Sequence, residues 1–433
     1  MNDLLIYTPN LTERVKFTFR FLFSEIIGVE YRITSDKAKF LRYEGPVLNY
    51  SQLPLSKGIW IHSQGLLNQT GIKRLNPNPG KWKNLPVLFK MGPEPDMPFD
   101  PFAATFFLIS RYEEYLDFKQ DELGRFPSEN SVAYKNDFLD TPVVDIWATR
   151  LKNMLRIRYP ELIFKEKKYE FISTIDIDQA WAYLHKGILR NLFGGIKYTL
   201  KGEFNDVVKR TQTLLGARKD PFDNFEYIAN KQQEVNSRYF IQVGKPGKFD
   251  KNHSGENRAM RKLISSLAEH NEVGIHPSVR SCLRGELPSE IELLSSITGK
   301  KIVKSRQHYL NLRFPKTYKG LLQNGIREDY SMGYPYKPGF RAGTATPFYF
   351  YDLGEEKATN LKVYPFQVMD SCLNNNLKLS PDEAMEMIRE YILKVKKVNG
   401  TFISIWHNSS FSDELEWKGW VEVFDNMLET AKG

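Results

Sequence analysis

The chain has 433 residues, too many for one ordinary core, and 41% of them are hydrophobic, ample for burial. Lys and Arg exceed Asp and Glu by 61 to 52, a net charge of +9 with no dense basic block, so nothing marks a nucleic-acid module. The 2 cysteines, Cys282 and Cys372, exclude a disulfide framework. The chain shows no signal-peptide pattern and no apolar stretch near the ~20 residues of a membrane span, so a cytoplasmic location is expected.

In chain order, strands are expected at 4–7, 30–33, 58–62 and 85–89, with an apolar-rich helix over 11–27. This reads as a small α/β unit. A helix then runs from 100 to 117, with Asp100 as N-cap and Pro101 in its first turn. It carries Ser110-Arg111-Tyr112-Glu113-Glu114-Tyr115-Leu116, and Gly124-Arg125-Phe126-Pro127 follows. These charged and aromatic groups suit either a specific interface or a helix surface laced with ion pairs. An amphipathic helix over 143–158 ends the unit. The expected division is an N-terminal α/β accessory domain, 1–165, and a larger domain, 166–433.

From Lys167 strands alternate with helices. Strands are expected at 171–176, 237–243, 272–276, 301–309, 326–330, 362–368 and 401–407. Helices are expected at 223–235, 257–269, 288–298, 315–324 and 381–396. The pattern predicts an α/β fold, an incomplete (β/α) barrel of about seven strands with helices outside. In such folds chemistry gathers at the C-terminal strand ends.

Those ends are rich in acids, His and Arg. The first gives Asp176 and Asp178, which share a strand face with Thr174. Two such carboxylates repel unless a metal or Arg neutralises them, one holds a proton, or water screens both. Later ends supply His276, then Arg306, His308 and Tyr309, then Arg341, Asp370, Trp406 and His407. Tyr309, Tyr330, Tyr334, Tyr336 and Trp406 lie near these ends as candidate sugar-stacking aromatics. Walker, GxSxG and HExxH motifs are absent.

The order TIDID, GIHPS, GFRAG, PFQVMD and IWHN, over about Phe171 to Asn408, resembles the polysaccharide deacetylases of carbohydrate esterase family four, the NodB-homology fold. The region before it, with SRYEEYL and GRFP, resembles an N-terminal domain fused to an uncharacterised bacterial branch of these proteins. The resemblance implies a deformed barrel that removes N- or O-acetyl groups from sugars with a divalent metal. It implies Asp176 as general base, Asp178 and His276 as metal ligands, and Arg341 orienting the base with Asp370. His407 would be the general acid or would stabilise the leaving amine. Arg306, Tyr309, Tyr334 and Trp406 are expected at the substrate.

Three positions depart from the family pattern. The two aspartates are two residues apart rather than adjacent. Arg280 stands where a second His is usual, and GFRAG lacks a proline pair. His308 is the first candidate for the missing ligand and Asp250 the second. Carboxylate and imidazole ligands suit Zn²⁺ first, with Co²⁺, Ni²⁺ or Mn²⁺ as alternatives. The expected substrate is a saccharide or a saccharide precursor, such as a nucleotide- or lipid-linked sugar. The alternatives are a non-catalytic saccharide-binding protein on a degenerate barrel, or an amidase acting on a non-sugar C–N bond.

Overall fold

The computed structural model describes residues 3–187, 191–192, 196, 199–200 and 204–432, apart from the side chains of 282–284 and 415. Cys282 therefore lies outside the described side chains, while Cys372 is a buried free thiol.

The N-terminal sheet has four parallel strands: β1 (Leu4–Tyr7), β2 (Tyr31–Thr34), β3 (Val47–Ser51) and β4 (Ile59–His62). Their order is β2-β1-β3-β4. β3 was not expected. Its residues alternate apolar and polar from Leu48 to Ser51, yet every one of them is buried. The stretch expected as a strand at 85–89 leaves the sheet: β5 (Gly80–Trp82) and β6 (Leu85–Val87) form a separate antiparallel pair. The helix expected over 100–117 stops at Ile109. Asp100 does cap it, accepting from the N–H of Phe102 and Ala103. The break falls at Arg111, whose φ of 53° is left-handed.

The second sheet is curled into a half-barrel. Its strands are β7 (Glu170–Ile177), β8 (Ser237–Ile241), β9 (Glu272–Ile275), β10 (Lys304–Ser305), β11 (Glu328–Asp329), β12 (Phe348–Asp352), β13 (Lys357–Val363), β14 (Val368–Met369) and β15 (Thr401–His407). They run in the order β12-β13-β11-β10-β9-β8-β7-β15-β14. All neighbours are parallel except the β12–β13 hairpin. The strand expected at 362–368 is in fact two. β13 pairs with β11 at one side, and β14 pairs with β15 at the other. Only residues 364–367 separate them, a reach of roughly 18 Å at most. The chain itself thus draws the two flanks of the sheet together. Crowding inside the curl is evident at Gly274, where a Cβ would sit 2.6 Å from the Phe240 ring and 2.9 Å from the Lys304 carbonyl oxygen.

Helices at Val143–Arg158, Arg258–His270, Leu287–Thr298, Lys316–Gln323 and Pro381–Lys397 fall where the periodicity put them. One apolar cluster runs through both sheets and their helices. Phe17 and Phe106 lie 5.0 and 5.1 Å from Tyr351 of the hairpin, centroid to centroid. Burial on this scale is the main stabilising term.

Candidate active site

Strand register assembles the site. Asp176 stands opposite His407 on β15 and Phe240 on β8. Ser305 stands opposite Ile275, which brings His276 beside Arg306. The C-terminal ends of β10, β9, β7 and β15 therefore open onto one cleft of about 890 Å³, lined by Asp176, Asp178, His276, His308, Tyr309 and His407.

Asp178, His276 and His308 each offer a ligand atom within 4.8 Å of the others. His276 Nε2 lies 3.0 Å from Asp178 Oδ1, and His308 Nε2 lies 3.5 Å from Asp178 Oδ2. Tetrahedral ligands at ordinary zinc distances sit about 3.4 Å apart, so these separations suit a shared ion. The outer nitrogens fix the tautomers. His276 Nδ1 is 2.6 Å from the Arg306 carbonyl, which can only accept, so Nδ1 donates and Nε2 keeps its lone pair. His308 Nδ1 is 2.9 Å from Asp250 Oδ1. Asp178 Oδ1 is enclosed yet makes no hydrogen bond. A carboxylate whose Oδ1 faces one imidazole nitrogen and whose Oδ2 faces a second is a donor set that fits a divalent cation.

The electrostatics agree. Burial lowers the His308 pKa, but the charges of Asp178 and Asp250 more than offset it and raise it to about 9. Burial pushes Asp178 up, yet His308, His276 and His407 hold it well below the usual carboxylate range. The field at the centre favours positive charge, which a cation supplies in place of protons.

Beside this trio, Asp370 holds His407. Its Oδ1 takes Nδ1 at 2.7 Å, and its Oδ2 accepts from the His407 N–H at 2.8 Å and from the Ser410 hydroxyl. His407 Nε2 then faces Asp178 Oδ2 at 3.8 Å. Burial lowers the His407 pKa, but the Asp370 and Asp178 charges raise it to about 10. Asp176 is 3% exposed.

Several expected contacts are corrected. Arg341 is not at Asp176. Its Nε and Nη2 pair with Glu114 at 2.9 and 2.6 Å, deep between the N-terminal region and the barrel. Arg111 joins the same Glu114 at 2.8 Å. SRYEEYL is thus a buried interface, and the helix breaks at Arg111 where the guanidinium turns into it. The arginine facing Asp176 is Arg306, at 3.5 Å, which also donates to the Thr174 hydroxyl at 3.0 Å. Arg306 is fully buried beneath the site, so it does not reach substrate as expected.

Trp406 and Tyr334 are 1% and 2% exposed and are likewise no substrate surface. Trp406 packs on Phe424, Phe411 and Trp420. Tyr334 lies under the Arg341 guanidinium. Tyr309 does line the cleft and is 43% exposed.

Arg280, at the place of the usual second His, turns to Glu286 at 2.8 Å, and His308 fills the third corner instead. Asp250 stands behind His308 rather than in the trio. It also accepts from Gln242 at 2.7 Å and from the Val279 N–H at 3.0 Å. Ser410 had no signal in the sequence; Glu114 lay within SRYEEYL, but its pairing with Arg341, 227 positions away, had none.

Residues 4–160 match a family of unknown function (DUF7033). A search of curated proteins found no match. Among solved structures, a candidate polysaccharide deacetylase from Mycobacterium smegmatis is similar over 62% of this chain and 85% of its own, at 15% identity and a TM-score of 0.39. Agd3, described as a novel carbohydrate deacetylase, aligns with 100% of this chain and 83% of its own, at 7% identity and a TM-score of 0.36. A mutant of a CE4-family pseudoenzyme with restored activity aligns over 61% and 63%, at 12% identity and a TM-score of 0.27. Among the described residues no helix is long and apolar enough to cross a membrane.

Proposed function

We propose that this protein is a divalent-metal-dependent deacetylase that hydrolyses an N-acetyl group on a saccharide. The observation that carries the reading is the Asp178–His276–His308 trio beside Asp176 and an Asp370-held His407, all in one cleft. A cleft of about 890 Å³ accommodates a ligand of more than one sugar ring.

The chain's residues divide the work. Asp176 accepts the proton of the attacking water, with Arg306 beneath it at 3.5 Å to offset its charge. His407, held through Nδ1 by Asp370, gives a proton from Nε2 to the departing nitrogen. Asp178, His276 and His308 would hold the ion, which when bound supplies a Lewis acid to polarise the acetyl carbonyl. The carbonyl–nitrogen bond breaks, leaving acetate and a free amine. Zn²⁺ suits the two imidazoles and one carboxylate best.

The test measures metal content by mass spectrometry and acetate released from N-acetylated chitooligosaccharides. The wild type should carry one divalent ion per chain and release acetate, and Asp178→Ala and His276→Ala should lose both while staying folded. A chain that takes up no divalent ion refutes the proposal. A metal-loaded chain that cleaves only non-sugar amides redirects it to an amidase.

A further inference from the structure

The first unexplained feature lies at the rim of the cleft. Tyr309 and Tyr336 are 43% and 50% exposed, unusual for tyrosines in a barrel this well packed. Both line the cleft. The Tyr309 ring stacks on the imidazole of His308, with centroids 4.1 Å apart and planes 29° from parallel. One exposed aromatic ring is thus fixed against a member of the proposed metal trio.

Its backbone is held in an uncommon conformation. Tyr309 and Leu310 have φ of 55° and 51°, two successive left-handed residues without a glycine. Each such residue is unfavourable and persists only where surroundings impose it. The imposing group lies 184 positions earlier in the chain. Arg125 donates through Nη1 to the Tyr309 carbonyl and through Nη2 to the Tyr336 hydroxyl, the latter at 2.8 Å. Its third contact is Asp121, at 2.7 Å from Nε. Arg125 is only 3% exposed, so its side chain is committed to this task.

The loop carrying Arg125 is itself fastened to the barrel. Arg313 donates to the Leu123 carbonyl. Its guanidinium lies so close to Gly124 that a Cβ there would sit 2.8 Å from it, and the Gly124 φ of 74° disfavours any other residue. This loop belongs to the region that matches a family of unknown function. One guanidinium therefore ties two rim tyrosines into a single wall, and it is supplied from outside the barrel.

We infer that the 121–125 loop of the N-terminal region completes a saccharide subsite, in which Arg125 locks Tyr309 and Tyr336 as a wall for a pyranose ring beside the ion. The inference rests on the deacetylase reading for the identity of the ligand. Aromatic faces suit the apolar C–H faces of sugar rings, and pre-set rings lose little rotamer freedom on binding. Arg125 is a positioning residue: it acts through the tyrosines and touches no reacting atom. The N-terminal region is then part of the substrate site rather than an appendage.

The test is calorimetric binding of N-acetylated chitotetraose to the full chain loaded with Zn²⁺, beside metal content and thermal melting. Tyr336→Ala and Arg125→Ala should each weaken binding by about tenfold, while zinc stoichiometry stays at the wild-type value. Arg125→Lys should recover part of the loss by keeping one of the two bonds. In turnover the loss should appear in KM, with kcat changed far less. If Arg125→Ala fails to fold, Tyr336→Ala and Arg125→Lys carry the test. Wild-type affinity in the folded variants overturns the inference and leaves the deacetylase reading standing. A wild-type chain that holds zinc but does not bind the tetrasaccharide overturns it as well. A chain that takes up no divalent ion yet binds the sugar, and loses it in Tyr336→Ala, keeps the wall and refutes the metal-dependent reading instead.

Discussion

Replacing Asp250 by Asn should cost the proposed metal site affinity without touching a ligand. Asp250 is fully buried and holds His308 Nδ1 at 2.9 Å, so its charge makes His308 Nε2 the more basic lone pair. Carboxylates in this relation to a liganding imidazole contribute about 10–100-fold in metal affinity, or roughly 1.4–2.7 kcal/mol. Asn keeps one acceptor oxygen but removes the charge. That oxygen can keep the three donors on Oδ1, His308 Nδ1, Gln242 Nε2 and the Val279 N–H, while the amide nitrogen takes the place of Oδ2 and faces the Arg280 N–H, 3.4 Å away. The stability cost is therefore small, about 1 kcal/mol, and the loss is read in metal affinity. The assay is Zn²⁺ competition against a chromophoric chelator at neutral pH, well below the melting transition of both proteins. Affinity within about twofold of wild type in a folded variant would refute the orientation of His308 through Asp250.

Further outcomes follow from corrected and newly found contacts. Glu114→Ala leaves Arg111 and Arg341 buried without their shared carboxylate, and denaturant unfolding should show a loss of about 3–5 kcal/mol; a loss under 1 kcal/mol would mean that this interface is not what secures the two regions. Trp406→Ala should destabilise by about 3–5 kcal/mol as a buried cavity, and a raised KM at unchanged stability would return Trp406 to the substrate. Burial raises the Asp100 pKa to about 6 against the N–H groups that bind it. The folded value exceeds the unfolded one, so this stabilising contribution is full below the unfolded pKa and is lost as pH rises through about 6. The amount is about 3 kcal/mol, read as the change between acid and neutral pH in the stability difference between wild type and Asp100→Asn; a flat difference would contradict it.

The sequence by itself determined the parts of this protein that depend on local period and on strand ends. The helices at 143–158, 258–270 and 381–397 follow from apolar spacing, the last two with caps at Asn257 and Ser380. The eight-residue strand that carries Asp176 was legible because its second half alternates from Thr174 to Ile177 and acids stand at its end. His276 and His308 could be named because their strands expose them at the same end of the sheet.

Only the tertiary structure decided which arginine serves which carboxylate. Arg306 and Arg341 both sit at strand ends in the sequence. Register puts Arg306 beneath Asp176, while Arg341 is drawn to Glu114, 227 positions away along the chain. The split of 362–368 was equally hidden. β13 is a largely polar strand and β14 only two residues long, and the partner of each is chosen by the curl of the sheet rather than by its own residues. The rim is the clearest case. GRFP stood out as a motif, but a motif does not say what it touches. Arg125 reaches Tyr309 and Tyr336 because the folded chain closes a gap of 184 and 211 positions, and contacts of that separation leave no periodic trace.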